Sequence, residues 1–196
     1  MKQARYCRRA HFLTAFVLSL AGVVFVTPSL AGTFSVYRDQ DGNCSISDAQ
    51  AGSISVYVYH RSPPWDLGVT GSAFRLGSGG GFTGVFESVN YGPGYLTLGD
   101  ITQGVEVAYG SCLNDGSILV AVVTYTVFGT SAACSYLEVL PFGDGGVVET
   151  YRCNDTMDPA PVNSPLIVNH EAGCGPLSCV VGVQESTWGS IKAMYR

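Results

Sequence analysis

The sequence predicts an all-β protein: a disulfide-stapled β-sandwich of the immunoglobulin-like or jelly-roll-like kind, with a short C-terminal amphipathic helix. Three observations predict this fold class. Short segments of alternating apolar and polar residues recur between turns rich in Gly, Pro, Asn and Asp. The chain has 25 glycines, 11 tyrosines and 9 phenylalanines but only 13% charged residues, a composition typical of exported β proteins. Six of the seven cysteines lie beyond the N-terminal segment, an even number that suits a disulfide framework.

The first 31 residues predict a Sec-type signal peptide. Four basic residues precede an apolar run at residues 12–26, which is shorter than the roughly 20 residues that a membrane-spanning helix needs. Pro28 interrupts the run, and Ser29 and Ala31 supply the small residues that a signal peptidase reads, so cleavage is expected after Ala31. The expected destination is the periplasm, the cell surface or the medium. An uncleaved membrane anchor is the alternative.

The chain from residue 32 onwards predicts one domain, residues 32–180, followed by a spacer and short helical tail at residues 181–196. Its six basic side chains stand against fifteen acidic ones, a formal charge of −9. Nucleic acids and anionic membranes attract positive surfaces, so neither is an expected partner. No membrane span is expected after the signal is removed.

Nine strands are predicted along this domain. In "SISVYVYH", Ile54, Val56 and Val58 fall on one face and the residues between them on the other, as in a half-buried strand. "SILVAVVTYTVF" is apolar almost throughout, so a central strand buried on both sides is expected. Turn sequences such as "QDGN", "YGPGY" and "FGDGG" separate the strands. The nine lie at residues 34–37, 53–60, 74–76, 84–89, 104–109, 117–128, 137–140, 147–152 and 166–169.

The six cysteines of this domain are expected to form disulfides, because the chain is expected to be exported. They are Cys44, Cys112, Cys134, Cys153, Cys174 and Cys179. Six cysteines permit fifteen pairings. Proximity along the chain favours Cys174–Cys179 and Cys134–Cys153, which leaves Cys44 for Cys112. A zinc site is the alternative, but the spacing of paired Cys or His ligands that it requires is missing.

Residues 44–141 resemble the cohesin-type β-sandwich of extracellular bacterial scaffolds. The resemblance rests on the order of "AGSISVYVY", "GSAFRL", "GVFESVNYGPGYL", "GDITQGVEVAYG", "DGSILVAVVTYTVFGT" and "SYLEVLP". It implies a sandwich that binds a protein partner, which for cohesins is a dockerin. The cysteines and the part after Pro141 have no counterpart in cohesins. The whole layout also resembles secreted bacterial proteins with a similar "TWGxIKxxYR" ending, a likeness that implies no activity.

No catalytic, metal-binding or cofactor-binding constellation is predicted. His60 and His170 are the histidines beyond residue 31, and no nucleophile motif accompanies them. Asp39, Asp41 and Asn43 alternate oxygen ligands as a calcium loop does, but Cys44 and Gln50 stand where an EF-hand has Gly at the sixth place and Glu at the twelfth. A plain Asp-Gly turn is the preferred interpretation.

Three aromatic residues in turns are candidate ligand-binding residues: Trp65 in "SPPWD", and Tyr91 and Tyr95 in "NYGPGY". Flat rings on a sandwich rim suit stacking on sugars, because they offer apolar area with a polar handle. The alternative is that each ring folds into the core. The function predicted is therefore a secreted, non-catalytic binding or structural module that recognises a glycan or a protein at the cell surface. A secreted hydrolase with an unrecognised site is the alternative.

The chain ends in "ESTWGSIKAMYR", which predicts a short amphipathic helix. Trp188, Ile191 and Tyr195 have the spacing of one helical stripe. A helix of about ten residues is not stable alone in water, so this stripe needs a surface to dock on. Two interpretations remain open: a structural lid on the sandwich, or a tail that docks on a partner, with the tail preferred.

Overall fold

The computed structural model describes residues 32–62, 67–143, 146–163 and 165–174. The predicted signal peptide, Trp65, Cys179 and the predicted tail with Trp188, Ile191 and Tyr195 lie outside the described residues. Within the described part there are twelve β-strands and no helix. It therefore contains no helix long and apolar enough to cross a membrane.

The strands alternate with glycine-rich and aspartate-rich turns, as expected. They are β1 Thr33–Tyr37, β2 Ser45–Ile46, β3 Gly52–Arg61, β4 Val69–Gly79, β5 Val85–Tyr91, β6 Leu96–Asp100, β7 Gly104–Leu113, β8 Ile118–Val127, β9 Ser135–Pro141, β10 Val148–Arg152, β11 Met157–Ala160 and β12 Leu166–Val168. All nine predicted strands are present. The three that were missed are β2, β6 and β11.

The strands form two sheets. Sheet A has four antiparallel strands in the order β1-β3-β8-β5. Sheet B has eight strands, and β4 lies at its centre. One edge of β4 pairs with β7, which in turn pairs with β6; the other edge pairs first with β10 and then with β9. Beyond these strands, β11 pairs with β10 and β12 pairs with β9, both antiparallel. β2 pairs with β12 in parallel.

The core lies between the two sheets and is filled by the inward side chains of each strand. Val56 and Val58 of β3 are fully buried, as are Phe74 of β4 and Leu137 of β9. This arrangement confirms the predicted all-β sandwich. The expectation that β8 is buried on both sides is wrong. Its inward residues are buried and its outward ones half-exposed, because none of the described residues forms a further layer over the outer face of sheet A there.

Disulfides are present, but the three favoured pairings are wrong. Cys112 bonds to Cys153, and Cys134 bonds to Cys174. Cys44 is disulfide-bonded as well. Proximity along the chain gave the wrong pairs because the sheet brings distant strand ends together. Such bonds persist in oxidising compartments, which agrees with the expected export.

The register of sheet B explains both bonds. Strands β7 and β10 flank the same end of β4: Leu113 and Arg152 both lie opposite Val69. Their neighbours Cys112 and Cys153 are therefore close across the face. At the other end of the sheet Ser135 of β9 lies opposite Val168 of β12. Cys134 precedes that pair and Cys174 follows it.

Candidate partner-binding face

The outer face of sheet B carries two rows of side chains that run across five strands. Directly opposed residues of antiparallel strands point to the same face, so the pairing register defines each row. The first row is Leu96, Ala108, Gly71, Tyr151 and Met157, in the order β6-β7-β4-β10-β11. The second row is Leu98, Glu106, Ala73, Glu149 and Pro159.

These rows form a shallow groove. Its floor consists of the small residues Gly71 and Ala108, with the fully buried Ala73 in the second row. A depression of about 430 Å³ lies over Gly71 and Ala108, between Glu106 and Tyr151, and the leucines of β6 stand beside it. A side chain at Gly71 would place its Cβ 2.6 Å from the Val107 carbonyl oxygen and 3.3 Å from the Tyr151 ring. Position 71 therefore has no room for a side chain, and no side chain rises from the floor there.

The groove has the width of one helix. Leucines of β6 form one wall, and Tyr151 of β10 forms the other. Three strand spacings separate the backbones of β6 and β10, which lie about 14 Å apart. An α-helix with its side chains has a diameter of about 10–12 Å. The groove is therefore of a size for a single helix laid along β7 and β4.

The β6 wall is unusually exposed and apolar. All five residues of β6 are exposed, and its leucines Leu96 and Leu98 are 72% and 73% exposed. They are the most exposed large hydrophobic residues of the described part. Met157, at the other end of the first row, is 55% exposed. Large apolar side chains exposed on one face in this way commonly mark an interaction site.

Acidic side chains accompany the apolar ones. Glu106 and Glu149 lie in the second row on either side of Ala73. Burial, and then the nearby carboxylates of Glu106 and Glu149, raise the pKa of Tyr151. The register places both carboxylates on the same face of the sheet as the Tyr151 ring. The groove is thus suited to a partner that is both apolar and basic.

Asp100, at the end of β6, adds a further negative charge at the rim of the groove. Its carboxylate accepts hydrogen bonds from the Thr102 hydroxyl at 2.5 Å and the Thr102 amide at 2.8 Å. These bonds lower the pKa of Asp100, so the group stays charged at neutral pH.

The outer face of sheet A has a different chemistry. Outward hydroxyl side chains line β3 and β8, with Ser55 Oγ 3.4 Å from Thr124 Oγ1. The Thr126 hydroxyl donates to Glu87 Oε2 at 3.1 Å. Such a surface is well solvated, and the depression of about 380 Å³ on it is lined mainly by polar residues, among them Arg38, Ser53 and Ser55. The asymmetry of the two faces singles out sheet B.

The predicted ligand-binding tyrosines lie elsewhere. Tyr91 and Tyr95 are half-buried and pack against the hydrophobic core, and the Tyr95 ring lies 4.9 Å from that of Tyr109. Burial raises the pKa of both hydroxyls. The two rings therefore do not join the groove, and glycan stacking on them stays a prediction, as it does for Trp65.

Sequence reasoning missed Leu96 and Leu98. The alternation Leu-Thr-Leu in "GYLTLGD" is a strand signal, but it is only three residues long and directly follows the turn "YGPGY". The alternation identifies a strand without telling whether its apolar side is covered. Their exposure follows only from the position of β6 at the edge of sheet B.

The other residues weighed for chemistry have structural roles. His60 is fully buried, and its ring stacks on Phe34 with centroids 4.5 Å apart. Asp39 accepts hydrogen bonds from the amides of Asp41 at 3.1 Å and Asn43 at 3.2 Å, which is the geometry of a turn closed by its own side chain. The described ranges contain no group of three or more His, Cys, Asp and Glu side chains arranged for a metal ion.

The fold is that of cohesin modules. No protein-family model and no curated protein matches the chain. A cohesin module from a family 33 glycoside hydrolase of Clostridium perfringens is similar over 73% of this chain and 100% of its own, with a TM-score of 0.53 and 7% identity. This likeness shows a cohesin-like β-sandwich, which confirms the resemblance seen in the sequence.

Two further cohesins are similar. One is the OlpA cohesin of Clostridium thermocellum, solved in complex with a dockerin; it matches 71% of this chain and 100% of its own, with a TM-score of 0.49 and 12% identity. The other is a non-cellulosomal cohesin of the archaeon Archaeoglobus fulgidus, which matches 70% of this chain and 91% of its own, with a TM-score of 0.47 and 14% identity.

Proposed function

We propose that this chain is an exported, non-catalytic module that binds a protein partner on the outer face of sheet B. The observation that carries the proposal is the pair of exposed leucines, Leu96 and Leu98, beside a floor of glycine and alanine. A cohesin-like sandwich with Cys44 disulfide-bonded and with the Cys112–Cys153 and Cys134–Cys174 bonds supports a binding role outside the cytoplasm. The apolar and acidic character of the groove is a feature of this chain, and the proposal does not use what cohesin modules bind.

The partner class follows from the shape and charge of the face. A rigid sheet with small central residues offers a flat platform, and rings or branched chains of a partner can reach its floor. Burying an apolar side chain the size of leucine contributes about 1.5–3 kcal/mol. Two leucines and Met157 therefore supply enough for a specific contact, while Glu106 and Glu149 select against acidic partners.

A matched pair of variants tests the proposal. Leu98→Glu places a charge in the groove wall, and Val85→Glu places the same charge on β5, where Val85 is 56% exposed at the edge of sheet A. The immobilised wild-type protein is used to recover binding proteins from the secreted fraction of the source organism. The dissociation constant of each recovered protein is then measured by biolayer interferometry for all three forms.

We expect Leu98→Glu to weaken partner binding at least tenfold, because losing one buried leucine contact of 1.4 kcal/mol or more corresponds to that factor. Val85→Glu should leave the dissociation constant within about twofold. Equal dissociation constants for wild type and Leu98→Glu would show that the partner does not bind the outer face of sheet B. If the protein binds glycans on an array and no binding protein is recovered, the proposal of a protein partner is overturned.

A further inference from the structure

We infer that the groove of sheet B is self-occluded: residues 187–196 of the same chain dock in it and must be displaced by the partner. This inference rests on the proposed function, because it names a competitor for the same site. It is carried by three observations: the chemistry of the groove, the chemistry of the C-terminal segment, and the length of chain that connects them.

The C-terminal segment has the composition that the groove selects. "TWGSIKAMYR" contains no acidic residue and carries Lys192 and Arg196, two of the six basic residues beyond residue 31. In helical spacing Trp188, Ile191 and Tyr195 share one stripe, and the two basic residues lie on the adjoining stripe. The segment is therefore apolar and basic, whereas the groove is apolar and acidic.

Size and stability also match. A helix of about 10–12 Å in diameter is of a size for the groove between β6 and β10, whose backbones lie about 14 Å apart. Ten residues do not hold a helix alone in water, so the helical form requires an apolar surface. The groove supplies the leucines of β6 on one side and Tyr151 and Met157 on the other, with Glu106 and Glu149 placed for the basic stripe.

The chain is long enough to reach its own groove. Cys44 is disulfide-bonded, and Cys179 is the one cysteine beyond residue 31 left to pair with it, so residues 180–186 form the free tether and extend over about 24 Å. Cys44 precedes Ser45, which lies three strand spacings from Gly79 through β12 and β9. The near end of the groove at Ala73 is about 20 Å along β4 from that level, or about 22–25 Å in a straight line, so an extended tether reaches the near end of the groove.

Docking within one chain prevails over docking between chains. A short tether holds its end at an effective concentration of about 1 mM. At micromolar protein the intramolecular complex is therefore favoured. For a segment with a dissociation constant near 100 µM, about nine chains in ten are occluded, and the apparent affinity for a partner falls about tenfold.

The sequence offers a direct test, because Lys192 is the sole lysine beyond residue 31. A carbodiimide joins an amine to a carboxylate in contact with it and adds no spacer. The purified protein at micromolar concentration is treated with the reagent, the monomer and dimer bands are separated, and the joined peptides are identified by mass spectrometry. The same measurement is made on Leu98→Glu and Val85→Glu.

We expect Lys192 of the monomer band to be joined to Glu106 or Glu149, with the yield reduced at least fivefold in Leu98→Glu and unchanged in Val85→Glu. Lys192→Arg, which keeps the charge but forms no bond, should abolish the product. Coupling of Lys192 to acidic residues outside the groove, coupling in the dimer band alone, or no coupling would each overturn the inference.

Partner affinity separates the two proposals. Trp188→Ala with Lys192→Glu should raise the affinity for a recovered partner about tenfold if the tail occludes the groove. A partner that loses binding with Leu98→Glu but binds this tail variant and the wild type equally would leave the proposed function standing and remove self-occlusion. If Lys192 couples in the groove but no partner protein is recovered, self-occlusion stands and the proposed function does not.

Discussion

Replacing Asp48 should cost this protein much of its stability, because one buried carboxylate ties three chain segments together. Asp48 is 1% exposed and follows β2. Its Oδ1 accepts a hydrogen bond from Asn169 Nδ2 at 2.5 Å, and its Oδ2 accepts one from the Ser131 amide at 3.3 Å. Asn169 adopts a left-handed conformation with φ of 52°, and its Oδ1 accepts from the Asp48 amide at 3.0 Å. The residue thus links the ends of β2, β8 and β12.

The magnitude follows from these contacts. A hydrogen bond to a charged group contributes about 1.5–3 kcal/mol, so Asp48→Ala, which removes two, should destabilise by about 3 kcal/mol or more. For a domain of this size 1 kcal/mol corresponds to about 2–4 °C in Tm. Calorimetry at pH 7 should therefore show a fall of about 6–12 °C. Asp41→Ala, in an exposed turn, is the control and should change Tm by less than about 2 °C.

The effect should also depend on pH. Burial alone would raise the pKa of Asp48, but hydrogen bonds from Ser131 and Asn169 outweigh it, and the pKa lies below the ordinary 3.8. A carboxyl group with a lowered folded-state pKa stabilises the fold above its unfolded-state pKa, about 3.9, and loses this contribution as the pH falls through the folded-state value. The Tm difference between wild type and Asp48→Asn should therefore shrink below about pH 4. A fall of less than 2 °C for Asp48→Ala, or a difference for Asp48→Asn that is equal at pH 7 and pH 3, would refute this reasoning.

Three further substitutions have defined outcomes. Replacing Cys134 and Cys174 by serine removes a bond between residues 40 apart and should cost about 4 kcal/mol by the chain-entropy model; an unchanged Tm would contradict it. Tyr109→Phe removes the phenol oxygen 2.9 Å from the buried Ser72 hydroxyl and should cost about 1–2 kcal/mol in urea denaturation, whereas a stabilised variant would speak against that bond. Leu98→Glu, at a residue 73% exposed, made together with Trp188→Ala and Lys192→Glu so that the tail does not occupy the groove, should change the unfolding free energy by less than about 0.5 kcal/mol, and a larger loss would mean that the leucine supports the fold.

The architecture was largely predictable because strand formation leaves a local trace in the sequence. Alternation in "SISVYVYH" and the turns at "QDGN" and "FGDGG" depend on the geometry of single strands and turns, and these segments became strands and turns as expected. The order of such segments was sufficient to suggest a cohesin-like sandwich. The strands that were missed are short: β2 has two residues, β11 has four and β6 has five.

The candidate site was not predictable in the same way. Tyr91 and Tyr95 stand beside Gly and Pro in a turn sequence, and yet their rings pack against the core, because β5 belongs to sheet A and β6 to sheet B. The chain crosses from one sheet to the other at this point, which turns the aromatic rings towards the interior. The same crossing leaves Leu96 and Leu98 uncovered.

Sequence alone therefore determined the all-β class, the approximate position of nine strands and the disulfide chemistry, since these depend on residue type and on neighbours along the chain. Tertiary structure decided which cysteines meet and which apolar residues remain exposed. Cys112 and Cys153 bond because β7 and β10 flank the same end of β4. Leu98 is exposed because nothing described packs over the edge of sheet B. Both outcomes depend on contacts between distant parts of the chain, and a local pattern carries no record of them.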